Sequence, residues 1–361
     1  MALSQLIRLN MAHIQAKMCS TKSLSSKPTK SSFAKLMKPM KEFKRSRIPK
    51  ISVVGAGQVG TAISCMLLLR NLTKHLVILD INYELAKAEA LDFQQASAFL
   101  SDARVVPCGD SANSKNSDVV IITAGARPSG KDRSRLTAMK KTVEILKKAV
   151  PKLVELSPKA TFIVISNPAD VMTYAVQRIA KLPKHRCFTT GCHLDSVRFR
   201  NLIANRLRLP PSQVHGYVIG EHGASAVPVW SNVSVAGIRL NDVVKNLACG
   251  DDPENWAEIN EQVVTGGLAV GKTKGYTNWA VALTCTDIVH AMCGGKGKIA
   301  SVGTDMQGMH GIKDNVVLSL PSLVTAGGIS HVFELPLTDV EQRKLLASAD
   351  VLLEAQCSLD I

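Results

Sequence analysis

From residue 51 onward the chain alternates short apolar runs with longer stretches in which apolar positions recur every three or four residues. The runs at 51–54, 76–79, 119–123 and 161–166 are rich in Val and Ile and have the length of strands buried on both faces. Between them, 61–69 and 136–156 carry helical spacing, and Pro151 predicts an interruption of the second. Strands alternating with helices predict an α/β fold: a doubly wound parallel sheet covered on both faces, with ligands gathered beyond the carboxyl ends of its strands. The second half is less regular, with 214–219 as its clearest strand, and predicts a second, α+β domain. The expected units are a leader at 1–49, a sheet domain at 50–190 and a second domain at 191–361.

At 46% hydrophobic and 20% charged, the 361 residues have the composition of a globular chain, and no run of eighteen apolar residues predicts a membrane span. The net charge of +15 changes meaning once it is mapped. The first fifty residues hold twelve Lys or Arg against the single acid Glu42, a net of +11, which leaves +4 for the remainder. The body has no polyanion footprint, so no nucleic-acid partner is expected. Leu3, Leu6, Ile7, Met11 and Ile14 recur at helical spacing around Arg8, and a Ser- and Lys-rich stretch without acids follows. That is the composition of a mitochondrial import segment. A basic arm on a cytoplasmic protein is the alternative reading. The nine Cys include no CxxC pair, which fits reduced thiols and gives no reason to expect a metal site.

The strongest motif is Gly55-Ala56-Gly57-Gln58-Val59-Gly60, set between the first strand and the first helix, with Asp80 twenty residues beyond Gly60 at the end of the second strand. Gly55 permits the tight turn, Gly57 lets backbone approach a pyrophosphate, and Gly60 lets the helix pack against the strand. The helix N-terminus attracts phosphate charge. Asp80 is suited to an adenosine ribose and repels a 2′-phosphate, so the expected cofactor is NAD, on a Rossmann-type sheet. Thr123, Ala124, Gly125, Ala126, Arg127 and Asn167 fall at other strand ends, although an Asn before Pro168 is also an ordinary turn residue.

The second half holds denser polar clusters. In Gly191-Cys192-His193-Leu194-Asp195-Ser196-Val197-Arg198, helical geometry would put Asp195 and Arg198 on one face. Gly220-Glu221-His222-Gly223 is a turn that frees a His to reach into a cleft. A carboxylate on one imidazole nitrogen would fix the tautomer and raise the ring's pKa, leaving the other nitrogen to exchange a proton near neutral pH. An Arg offers a planar fork for a carboxylate. Spacing alone does not single out His222 among nine His, and Lys272 and Lys274 have the pattern of a solvated face.

The stretches GAGQVG, ITAGAR, SRL, SNPADVMTY, LPKHR, GCHLDSVRFRNLIA, GEHGASAVPVWS, GYTNWA and the C-terminal SAD resemble animal L-lactate dehydrogenases, in that family's order, from Lys50 to the C-terminus. GEHG and GYTNWA resemble the lactate branch more than the malate branch. The resemblance implies an NAD-binding Rossmann domain and a substrate domain in a homotetramer that interconverts a 2-hydroxy and a 2-oxo acid, foremost L-lactate and pyruvate. It implies His222 as proton donor and acceptor, Asp195 as the carboxylate that orients it, and Arg198 as the substrate-carboxylate anchor. Arg135 matches the lid arginine that polarises the carbonyl. Asn167 and Thr277 match substrate contacts, Asn167 also touching the nicotinamide ribose. Gln58, Val59, Thr123, Ala124, Gly125 and Arg127 join the cofactor site.

The lid departs from that pattern. Pro128-Ser129-Gly130-Lys131-Asp132-Arg133-Ser134 is one residue longer than the family's, and Pro128 stands where a substrate-reading Gln is usual. Ala224 stands where the lactate enzymes carry Asp after GEHG. The added cations imply tolerance of a dicarboxylate or a bulkier 2-oxo acid if they face the cleft, and unchanged pyruvate preference if they face solvent. A catalytically weak paralogue kept for NAD binding or structure is the competing class. Against it stands the presence of Arg135, Asp195, Arg198 and His222 together.

Overall fold

The computed structural model describes residues 37–39, 48–126 and 135–361. Most of the leader and the lid up to Ser134, including Arg127 and Pro128, lie outside the described residues, as does the side chain of Arg135.

Six parallel strands form the centre of the body: β1 (Lys50–Val54), β2 (His75–Leu79), β3 (Arg104–Cys108), β4 (Val119–Ile122), β5 (Thr161–Val164) and β6 (Cys187–Thr189). Their order across the sheet is β3-β2-β1-β4-β5-β6. That order reverses direction between β1 and β4, the topological switch point at which a doubly wound sheet opens a crevice. The central strands are buried on both faces, as near-continuous Val and Ile runs require. Helices α1 (Gln58–Leu69), α2 (Tyr83–Gln95), α3 (Arg135–Leu156) and α4 (Ala169–Ala180) cross between strands.

The sheet continues past the parallel strands. β7 (Lys298–Asp305), β8 (Val317–Thr325) and β9 (Gly328–Phe333) extend it antiparallel from β6, with Gly303 opposite Thr189. One apolar core, from Ile51 to Leu352, runs beneath both halves of the chain. A second, smaller core gathers Phe199, Trp230 and Trp256 around α5 (His193–Leu207) and α6 (Glu258–Lys274). Helices α7 (Trp279–Cys293) and α8 (Asp339–Cys357) complete the framework. A capping box opens α8: the Thr338 hydroxyl accepts the Glu341 N–H, while the Glu341 carboxylate accepts from Thr338 and Ser231. Among the described residues no helix is long and apolar enough to cross a membrane.

Two local expectations fail for identifiable reasons. Helix α3 runs unbroken through Pro151. Proline in a helix interior costs about 3 kcal/mol, but Val143, Leu146, Val150 and Leu153 bury one continuous stripe on both sides of it, and a few fully buried aliphatic side chains at roughly 1.5–3 kcal/mol each exceed that cost. The run 214–219 is two strands. Val214–His215 pairs with Ser234–Val235, whereas Val218–Ile219 pairs with Val227–Pro228. The chain changes partner at Gly216, where a Cβ would sit 3.1 Å from the Phe199 ring.

Candidate active site

Strand register brings the site together. Val54 pairs with both Leu79 and Ile122, Ile122 with Val164, and Val164 with Thr189. The residues that follow these partners therefore emerge along one edge of the sheet: Gly55, Asp80, Thr123, Asn167 and Thr190.

The glycine turn is built as its spacing demands. Gly55 has φ +106°, and a Cβ there would lie 2.7 Å from Thr123 Oγ1. A Cβ on Gly60 would fall 1.8 Å from the Gly55 carbonyl oxygen. Gly57 differs: among the described residues nothing lies within 4 Å of the position its Cβ would take. A residue with no steric need inside the protein leaves open surface above the N-terminus of α1, whose first turn contains no acid. Asp80 secures the turn from the neighbouring strand, since its carboxylate accepts the Ala56 N–H at 2.7 Å and the Asn82 N–H at 2.9 Å. Thr123 Oγ1 donates to the carbonyls of Val54 and Gly55, which gives it a bracing function. An open backbone cradle, a free helix N-terminus and an acid at the end of β2 fit a dinucleotide with an unphosphorylated ribose.

Across the crevice, α5 starts after its N-cap Cys192 and carries Asp195 and Arg198 on one face. Arg198 Nη1 donates to Asp195 Oδ1 at 2.9 Å, and Asp195 Oδ2 meets His222 Nδ1 at 2.5 Å. Asp195 is buried, whereas 27% of the His222 side chain is exposed. The ring thus has its Nδ1 committed to a carboxylate and its other edge open. Burial pulls the imidazole pKa down, but the charge and hydrogen bond of Asp195, joined by the charge of Asp170, outweigh it against Arg198, so the net movement is above the ordinary value. His222, Asn167, Thr277 and Val59 line one narrow cleft with Gly191 and Leu194. It joins the mouth of the glycine turn to the Asp195–His222 pair.

Several contributors carry no motif of their own. Asp170, at the start of α4, is buried and accepts the His222 backbone N–H at 2.8 Å. Its only sequence signal was its place in SNPADVMTY, three residues after Asn167, which assigned it no function. Gly266 and Gly267, inside α6, face Arg198: Cβ atoms there would stand 3.5 Å from Arg198 Cδ and 3.4 Å from Nη2. Ser319 donates no motif either, yet its hydroxyl accepts the Cys192 N–H at 3.0 Å and fills the space beside Gly191. The Cys192 thiol is buried behind the cleft and pushed well above the ordinary thiol value, which removes it from thiolate chemistry. Lys272 and Lys274 are both exposed, as a solvated face requires, and Lys274 Nζ also donates to Asn278 Oδ1 at 2.6 Å and lies over the Tyr276 and Trp279 rings. One expectation needs correction. Ala224 does not face the His222 cleft; it is exposed and lines a separate, wider cavity against the 241–249 loop and α8.

This arrangement can hold a dinucleotide, fix an anion on a guanidinium and pass one proton through an imidazole. The comparisons with known proteins give the family and the cofactor domain. The family model described as lactate/malate dehydrogenase, NAD binding domain, matches residues 49–189, and the alpha/beta C-terminal domain model of the same family matches residues 192–357. The chain is 41% identical to the L-lactate dehydrogenase B chain of Bos taurus over 327 residues, covering 90% of this chain and 97% of that one. It is 41% identical to the A chain of Sceloporus undulatus over 84% of this chain and 91% of the relative. For the A chain of Fundulus heteroclitus the figures are 38%, 86% and 94%. Motifs, sheet order and matched length lead to one conclusion: the chain belongs to the lactate/malate dehydrogenase family and is an NAD-dependent 2-hydroxy acid/2-oxo acid oxidoreductase.

Proposed function

We propose that the chain interconverts L-lactate and pyruvate, with His222 exchanging the proton. The observation that carries this reading is the single buried carboxyl of Asp195, shared between Arg198 and His222 Nδ1. Arg198 presents the rest of its fork to the substrate carboxylate. Asp195 keeps a proton on Nδ1 and stabilises the imidazolium, so the opposite nitrogen donates to the carbonyl oxygen in reduction and takes the proton back in oxidation. NAD, when bound, takes up or supplies the hydride at C2. Arg135, at the start of α3, balances the negative charge growing on the carbonyl oxygen, a contribution of about 3 kcal/mol for one such group. Asn167 and Thr277 orient the substrate. Gly55, Gly57, Gln58, Val59 and Gly60 seat the pyrophosphate with Thr123, Ala124, Gly125 and Arg127, and Asp80 binds the ribose. In this reading residues 50–190 form the cofactor domain and 191–361 the substrate domain.

We further propose a homotetramer and mitochondrial import. Ile81 and Phe99 expose 91% and 85% of their surface, with Leu91 and Leu268 more than half exposed, which favours a second copy covering them. The basic, acid-poor leader supports import, and tagged chains with and without residues 1–49 test it by their location. The activity is tested by following NADH absorbance with pyruvate, oxaloacetate and a branched 2-oxo acid. Pyruvate is expected to be the preferred substrate. Oxaloacetate preferred over pyruvate would instead support the cations Lys131 and Arg133 as substrate readers. NADH binding without oxidation by any of the three would support a catalytically weak paralogue.

A further inference from the structure

Asp170 has no part in the chemistry above, yet its setting is unusual for an acid in the first turn of a helix. Such an acid ordinarily rests in solvent or caps its own helix. Asp170 is 2% exposed, and α4 has no side-chain cap. Its Oδ2 is spent on another element, accepting the backbone N–H of His222 across 52 residues of sequence. Among the described residues its Oδ1 has no hydrogen-bond partner, and it lies 2.8 Å from where a Cβ on Gly303 of β7 would stand. A buried carboxyl with one unpartnered oxygen costs folding free energy that a neutral apolar residue would avoid. Among the described residues, the charged groups acting on the imidazole are Asp195 and Arg198 from α5 and Asp170 from α4, while Glu221, in the turn itself, acts on Asp170. Glu221 is already engaged by the Ser225 N–H and hydroxyl, and Asp195 by Arg198. Asp170 is the acid in this set whose unpartnered oxygen is buried.

We propose that Asp170 is a positioning residue for His222: it fixes the backbone of the turn that carries the ring and, once ionised, adds a second negative charge behind the ring, so that His222 keeps its proton to higher pH. The proposal rests on the reading of His222 as the proton carrier. Burial pushes the Asp170 carboxyl up to about 7, with the charges of Glu221 and Asp195 adding to the rise and the His222 N–H and ring opposing it. Asp170 therefore gains its charge near neutrality, where an ordinary imidazole would be losing its proton. The two groups titrate as a coupled pair, which broadens the alkaline limb of 2-oxo acid reduction.

The test is the pH dependence of kcat/KM for pyruvate with NADH in the unaltered protein, Asp170→Asn and Asp170→Ala. Asn keeps an acceptor for the His222 N–H and loses the charge, so the expected result is a maximum within about threefold of the unaltered protein and an alkaline limb moved down by about one pH unit. Ala loses both and is expected to lower the maximum a further tenfold or more, as loss of a positioning contact does. An Asp170→Asn profile superimposed on that of the unaltered protein would overturn the proposal. So would equal losses in both variants with no shift of the limb. Carbon NMR of the Asp carboxyls in the unaltered protein needs no variant to fold. One carboxyl is expected to titrate near 7, and an absence of any titration above the ordinary carboxylate range overturns the proposal. If no 2-oxo acid is reduced at all, the functional reading fails while the NMR result still decides the state of Asp170.

Discussion

The glycine turn after β1 and the His222 turn after the Val218–Ile219 strand both present a small group to the same cleft, but they are specified differently. The first is local. Gly55, Gly57 and Gly60 lie within six residues, and their geometry follows from φ and from the absence of Cβ atoms. The second is assembled from a distance. Asp195 reaches His222 over 27 residues and Asp170 over 52, and Ser319 supports the start of α5 from 127 residues away. A backbone site is built by what side chains leave out, whereas a proton-transfer site is built by which side chains the fold brings in.

Substitutions at the two turns should therefore fail in different ways. The largest effect is expected at Asp195→Asn. It keeps the shape but removes the charge that holds the imidazolium, and kcat/KM for pyruvate should fall about 10³-fold or more, with NADH binding retained in a fluorescence titration. Next is Gly60→Ala, which forces a Cβ to 1.8 Å from the Gly55 carbonyl oxygen. Loss of both thermal stability and NADH binding is expected, by several kcal/mol. Gly57→Ala meets no atom of the described residues within 4 Å. Its melting temperature should stay unchanged while NADH affinity falls about tenfold, a drop of about 1.4 kcal/mol; equal losses in both would contradict a ligand-facing glycine.

Smaller effects test the scaffold. Asp287 accepts from His193 at 2.8 Å and from Lys298 at 2.9 Å, tying the first turn of α5 to α7 and β7. Burial raises its pKa, but the hydrogen bonds and charges of His193 and Lys298 outweigh this and hold it well below the usual carboxylate range. An acid held down contributes stability above its unfolded value and loses it as pH falls through the folded one. Asp287→Asn should cost about 1–3 kcal/mol in denaturant unfolding at neutral pH, with the gap closing in acid. The smallest change is Gly266→Ala. Its Cβ would make ordinary contact with Arg198 Cδ at 3.5 Å, so the helix-propensity gain should raise stability by about 0.5–1 kcal/mol.

The same contrast explains what was legible in the sequence. Buried parallel strands announce themselves by Val and Ile runs, and the glycine turn by its spacing, so the doubly wound sheet and the cofactor edge could be read directly. Asp195 and Arg198 could be paired because helical spacing is local. Their partner could not: nothing in the spacing distinguishes His222 from eight other His, and family resemblance was needed to select it. Asp170, Ser319 and the Gly266-Gly267 pair escaped notice because each matters only through a neighbour far along the chain. The continuous helix through Pro151 was missed for a related reason, since packing outweighed a local rule.

The central claim is that His222, held by Asp195, moves the proton for an acid anchored on Arg198. Its most direct test is His222→Asn, measured by single-turnover NADH oxidation with saturating pyruvate alongside NADH fluorescence titration. The account predicts NADH affinity within about twofold of the unaltered protein and a reduction rate lower by about 10³-fold or more, the loss of a general acid together with the charge it carries. A rate within tenfold of the unaltered protein would contradict it.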